Sequence, residues 1–282
     1  MALEIKASAP RSVLASNLDI PRLPDEVFGH IFHFLNAEEL ASIALVCQIW
    51  NTIASSEALS YEIPFPSWLK DIDASVWEKH VDLKKYGLDL SVVPRVNRLA
   101  LTKALKPLSR KVENKMGITN MVIPKGLTLN TVLRIAKDNS VPIGFIWDEI
   151  LTNFGDIAVE QTRVLFFTNS IFEGTRDRTP DQHELDVATI GHECGFTIRN
   201  PGFRDFMAFL ALTYMSSSEN PPTQLYSSNT FTVLIEKVIC CSLIGGFAPS
   251  GLFALFTYCA PGHIGFGASG SCEDIETRNI GT

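Results

Sequence analysis

Residues 21–63 read PRLPDEVFGHIFHFLNAEELASIALVCQIWNTIASSEALSYEI, and the rest of the chain is best understood outward from them. Pro24 stands at a helix start, where its missing N–H costs nothing, and Asp25 and Glu26 follow in the first turn, where the helix dipole favours negative charge. Val27, Ile31, Phe34 and Leu35 recur at helical spacing, which predicts a helix from about residue 25 to 35 with one apolar stripe. Asn36 with Glu39 three residues later is a capping-box pattern, so a second helix begins there, with Leu40, Ile43 and Ala44 on its apolar face. Val46, Cys47, Trp50 and Ile53 mark a third. Three short helices in about 40 residues bury too little surface to stand alone, and no disulfide or metal pattern is at hand. A partner surface is therefore expected, anchored by an exposed apolar residue such as Leu23 or Phe28.

The order and spacing of Leu23, Pro24, Glu26, Val27, Ile31, Phe34, Leu35, Leu40, Val46, Cys47 and Trp50 resemble the F-box motif over residues 21–61. The resemblance implies a three-helix module that docks on a Skp-type adaptor and through it on a cullin–RING ubiquitin ligase. Carried over position by position, it implies adaptor contacts from Leu23, Pro24, Val27, Ile31, Leu35, Leu40, Val46 and Trp50. It also implies a non-catalytic receptor whose remaining surface recruits a protein target. Periodicity alone would favour the core of a small helical hairpin.

Working outward, residues 1–17 are small and polar and are expected to be a flexible N-terminus, and 18–62 form the module. Pro64 and Pro66 then separate the module from the remainder of the chain. Ala74 to Tyr86 reads as a helix ending at Gly87, so 63–94 are expected to be a helical linker. From residue 95 to 282 strands and helices intermix without regular βαβ spacing, an α+β pattern expected to bind the target. Asn120–Pro124, Val164–Ile171, Phe231–Ile244 and Leu252–Tyr258 are predicted strands. Leu129–Lys137, Gly144–Leu151, Glu184–Cys194 and Phe203–Met215 are predicted helices. No repeat of 20–50 residues is visible, so WD40, Kelch and leucine-rich arrays are not expected. Phrases such as VIPKGLTLNTVLRIAK and LIGGFAPSGL resemble an uncharacterised region that follows F-boxes in proteins of Chlamydia-like intracellular bacteria, which implies an effector acting in a eukaryotic host.

Composition narrows the classes. The chain has 282 residues, 46% of them apolar and 20% charged, which is ample for a core and excludes wholesale disorder. Its net charge of −7 argues against nucleic acid as a partner. The charge is uneven: residues 1–69 hold 3 Lys+Arg and 8 Asp+Glu, residues 70–125 hold 12 and 6, and residues 126–282 hold 9 and 17. The basic middle fits a connecting region that touches an acidic surface. Within it Lys103–Lys115 is predicted to be a solvated helix with Leu105, Leu108 and Val112 inward. The six cysteines include no CxxC pair, and no secretory signal is evident, so reduced thiols and a cytoplasmic or nuclear setting are expected. Residues Val238–Ala260 are 23 in a row without a charge, long enough for a membrane span. Gly245, Gly246, Pro249 and Gly251 at their centre instead predict a hairpin, and no membrane is expected.

Candidate chemistry is sparse. His192, Glu193 and Cys194 are consecutive, so on a helix they point about 100° apart and cannot pair as nucleophile and base. His183 and His192 lack the spacing of a metal site. The Gly-rich stretch 245–251 lacks a P-loop's Lys-Ser/Thr and reads as a turn. Asp177 and Arg178 lie in a polar loop that could read a charged target segment. No cofactor or metal is expected. A cysteine-dependent enzyme carrying an F-box, or a protein that only sequesters the adaptor, are the alternative readings.

Overall fold

The computed structural model describes residues 25–32, 34–43, 46, 50, 52, 64–176, 178–217, 231–238, 241–248, 251–257, 266–267 and 271–273. The first half contains α1 (Asp25–Phe32), α2 (Ala37–Ile43), β1 (Leu69–Ile72), α3 (Ala74–His80), α4 (Leu83–Tyr86), α5 (Arg98–Ser109), β2 (Ile118–Ile123) and α6 (Leu129–Asp138). The second contains β3 (Ile143–Ile146), α7 (Asp148–Phe154), β4 (Arg163–Thr168), α8 (Pro180–Cys194), α9 (Phe203–Ser216), β5 (Phe231–Val238), β6 (Cys241–Ala248), β7 (Gly251–Thr257), β8 (Phe266–Gly267) and β9 (Ser271–Glu273). Helices and mixed sheets alternate irregularly, an α+β architecture.

Helix α9 organises the packing. FRDFMAFLALTYMS is apolar on nearly every side, and a helix of that kind is stable only when surrounded. Its residues Phe206 to Leu212 are all buried. On one side lies a four-stranded sheet ordered β1-β2-β4-β9, with β1 parallel to β2 and the other pairs antiparallel. Met121, Ile123, Leu165 and Phe167 face the helix from that sheet, and Phe167 stacks on Phe209 with ring centroids 4.8 Å apart. The opposite face of the same sheet, with Ile118, Val122, Val164 and Phe166, is covered by Leu101, Leu105 and Leu108 of α5 and Val187 of α8. Central strand β2 is thus buried along its whole length, as a strand covered on both faces must be.

On its other side α9 meets a five-stranded sheet ordered β3-β7-β6-β5-β8. Closeness here depends on Gly245, since a Cβ at that position would lie 2.9 Å from the Met207 methyl. The start of α9 is held by a buried carboxylate: both oxygens of Glu236 accept from the Phe203 N–H at 2.8 Å. Beside it the Asp205 carboxylate pairs with Arg163 at 2.6 Å and Arg204 at 2.9 Å.

Several elements depart from the sequence reading for physical reasons. Residues 63–94 are not a linker: β1 pairs with β2, and Trp77, Val81 and Leu88 enter the main core, with the Trp77 indole N–H donating to the Val122 carbonyl at 2.7 Å. The expected single helix 74–86 breaks at Val81 and Asp82, where the Asp82 side chain caps a new turn. Gly144–Leu151 is not one helix but strand β3 followed by α7, because Ile143 to Ile146 pair with β7. Phe231–Ile244 is two antiparallel strands, and Gly245 and Gly246 lie inside β6 rather than in a turn. The hairpin that replaces a membrane span is present as β6 and β7, and among the described residues no helix is long and apolar enough to cross a bilayer. Val112 is buried as expected but beyond the end of α5, bridged to Phe172.

Glu236 gives a testable pH signature. Burial pushes its carboxyl above the usual glutamate range, only partly offset by the Phe203 N–H, and neighbouring Asp205 adds to the rise. The folded protein therefore holds this proton more tightly than the unfolded chain. Its stabilising contribution is full below the ordinary glutamate value and is lost as pH rises through the raised one. Urea unfolding of Glu236→Gln between about pH 4 and about pH 8 should show wild type losing stability relative to the variant as pH rises. A stability gap independent of pH would contradict this.

Candidate functional site

The N-terminal helices are built around three aromatic rings. Phe28, Phe32 and Trp50 sit with centroids 6.0, 5.7 and 5.9 Å apart, and Leu35, Leu40 and Ile43 close the cluster. The Asn36 carboxamide accepts from the Glu38 and Glu39 N–H groups at 2.9 and 3.1 Å, and Glu39 returns a bond to the Asn36 N–H at 2.9 Å. This reciprocal cap starts α2 where the sequence places it.

Helix α2 seats the pair on the larger body. Leu40 has no exposed surface and packs with Phe32 against Leu99 of α5. The Glu38 carboxylate pairs with the Lys106 ammonium and accepts from the Trp68 indole N–H at 3.4 Å. The Lys106 hydrogen bond leads in holding the Glu38 carboxyl below its ordinary value. A second contact repeats the theme, Lys111 with Glu193 at 3.0 Å, while Arg98 pairs with Asp71 inside the basic middle at 3.0 Å. The basic middle of the sequence therefore meets acidic surface within its own chain.

Away from this seat several large apolar residues of the module remain partly or largely exposed. Val27 is 37% exposed, Ile31 46%, Val46 62% and Phe34 85%. Helix α1 thus carries Phe28 and Phe32 inward and Val27 and Ile31 outward, apolar on two faces of which, among the described residues, one is packed into a core cluster.

Among the residues expected at the adaptor, Val27, Ile31 and Val46 are exposed, while Leu35 and Trp50 are half-buried in the aromatic cluster. Leu40 corrects the expectation: wholly buried, it has nothing to offer a partner and instead fixes the module to α5. Leu23 and Pro24 lie outside the described residues, as do the expected flexible residues 1–17 and most of the third helix. Phe34 is the residue the stripe reading misplaced. Helix α1 ends at Phe32, so Phe34 leaves the stripe and projects outward.

The other candidates are structural in character. The Cys194 thiol is half-buried, and burial raises its pKa, opposite to the shift that activates a nucleophile. The His183 ring is buried with Nε2 2.9 Å from the Thr175 carbonyl oxygen, and burial lowers its pKa. Arg178 pairs with Asp186 at 3.3 Å, and Asp177 lies outside the described residues.

Comparison with known families singles out the same module. Residues 20–63 match the family model described as F-box-like. The F-box-like segment spans the aromatic cluster, the α2 seat and the exposed apolar residues together. No curated protein and no solved structure matches the chain.

The two faces of the F-box-like segment should respond differently to truncation. Leu40→Ala empties a filled position and should cost about 2–5 kcal/mol of local stability, seen as faster amide exchange across α1 and α2. Phe34→Ser, at an exposed site, should change it by less than about 0.5 kcal/mol. Equal effects would contradict the assignment of faces.

Proposed function

We propose that this chain is an F-box substrate receptor of an SCF-type ubiquitin ligase. Its F-box-like segment binds a Skp-type adaptor, the adaptor joins it to a cullin, and the larger α+β body recruits a protein target. The observation that carries the reading is the apolar surface of Val27, Ile31, Phe34 and Val46, exposed on a segment that matches the F-box-like model. F-box-like domains typically bind adaptors of this type, and an apolar patch on a small helical module is the surface such binding needs.

The receptor performs no bond chemistry and needs no cofactor. Its effect is proximity: a target held beside the charged conjugating enzyme reacts at a raised effective concentration. That effect depends on stiffness between adaptor and target. The Leu40–Leu99 packing and the Glu38–Lys106 pair supply it by tying the F-box-like segment to α5, which in turn covers the four-stranded sheet. The setting is the cytosol or nucleus of a eukaryotic cell, the host's if the protein is a bacterial effector.

Binding of the purified full chain to a Skp-type adaptor tests the reading. Wild type should form a stable complex, and Ile31→Asp should weaken it at least roughly tenfold by placing a charge in an apolar contact. The thermal unfolding midpoint of that variant should stay near wild type, because Ile31 is exposed. An Ile31→Asp chain that binds as wild type does, or a wild type that does not bind, would remove the proposal. A Cys194→Ser chain should retain full adaptor binding and target modification. Loss of modification in that variant alone would favour the cysteine-enzyme reading.

A further inference from the structure

The β3 end of the five-stranded sheet is unusually aromatic and exposed. Strand β3 is the end strand, and among the described residues it pairs only with β7. Native edges are usually blunted by charge or covered, because an open edge can accept another strand. This one carries Ile143, Phe145 and Trp147, alternate residues that are 37%, 52% and 36% exposed, while Ile146 between them packs on the core. Phe145 and Trp147 meet edge to face, with centroids 6.4 Å apart at 86°.

Trp147 is also the N-cap residue of α7, where its carbonyl accepts from the Ile150 N–H at 3.0 Å but its side chain makes no capping hydrogen bond. A small polar residue would serve the helix better, so stability of α7 does not account for an aromatic at this position. Next to the pair lies an open cavity of about 300 Å3 lined by Phe145, Ile146, Trp147, Asp148 and Glu149. Both charged residues that line it are carboxylates, Asp148 and Glu149, and along the sequence residues 139–162 contain no Lys, Arg or His. The flanking cations are Lys137, in the last turn of α6, and Arg163, which pairs with Asp205 at 2.6 Å.

We infer that the β3 edge is the target-docking strand, taking an extended, lysine-containing segment of the recruited protein. This rests on the receptor reading above. Main-chain hydrogen bonds to β3 would hold the segment, its apolar side chains would lie on Ile143 and Phe145, and its ammonium groups would meet Asp148, Glu149 and the aromatic faces. Charge complementarity sets the class of occupant, since an acidic segment would be repelled.

Fluorescence anisotropy with the full chain and labelled octapeptides tests this. An alternating Lys-Val peptide should bind at least roughly tenfold more tightly than an alternating Glu-Val peptide or a Lys-Pro peptide, which has equal charge but lacks half the N–H donors. Phe145→Ala and the double variant Asp148→Asn/Glu149→Gln should each weaken the Lys-Val peptide severalfold and leave adaptor binding unchanged. Equal binding of the three peptides, or indifference to both variants, would overturn the inference. So would concentration-dependent dimerisation abolished by Phe145→Ala without peptide binding, which would assign the edge to a second copy of the chain. Peptide binding that fails while the adaptor still binds sinks only the docking strand. Adaptor binding that fails while the peptide still binds sinks only the ligase role.

Discussion

Helix α1 is apolar on two faces, and among the described residues only one of them is packed into a core cluster. Phe28 and Phe32 are taken up by Trp50 and by the α2 seat, while Val27 and Ile31 remain partly exposed, as do Phe34 and Val46. In the function proposed above, another polypeptide covers the remainder. The functional account depends on this imbalance.

What distinguishes the arrangement from a loose tail is how α2 meets the body. Along the chain, charge is divided into an acidic start, a basic middle and an acidic remainder. In space that division is resolved internally, with Lys106 on Glu38 of the acidic start and Lys111 on Glu193 of the acidic remainder. Half-exposed pairs of this kind contribute little energy each, about 1 kcal/mol or less, so they orient rather than anchor. The burial of Leu40 against Leu99 anchors. Residues expected to touch a partner therefore divide between holding the module in place and facing outward.

Much of the fold was legible where periodicity and caps act locally. The Asn36–Glu39 box, the helix closed by Gly195 and the strand at 118–123 arise from short-range chemistry that a sequence carries openly. Legibility failed where long-range pairing overrode it. Leu69–Ile72 is strand because β2 lies beside it, and Ile143–Ile146 because β7 does, neither of which the local pattern specifies. The all-round apolarity of Phe203–Ser216 was visible, but its place between two sheets was not. Of the candidate site, the apolar positions of α1 were readable and their two-sidedness was not. A helix wheel gives spacing, whereas the choice of buried face belongs to Leu99 and Trp50, distant in sequence. The β3 edge left no sequence signal, because an exposed aromatic pair reads like core until its sheet position is known.

Amide hydrogen exchange of the full chain, free and saturated with a Skp-type adaptor, tests the central claim most directly. The account predicts added protection confined to residues 25–52, with the already buried β2 and α9 unchanged. Added protection in the α+β body with none across α1 would place the contact elsewhere and contradict it.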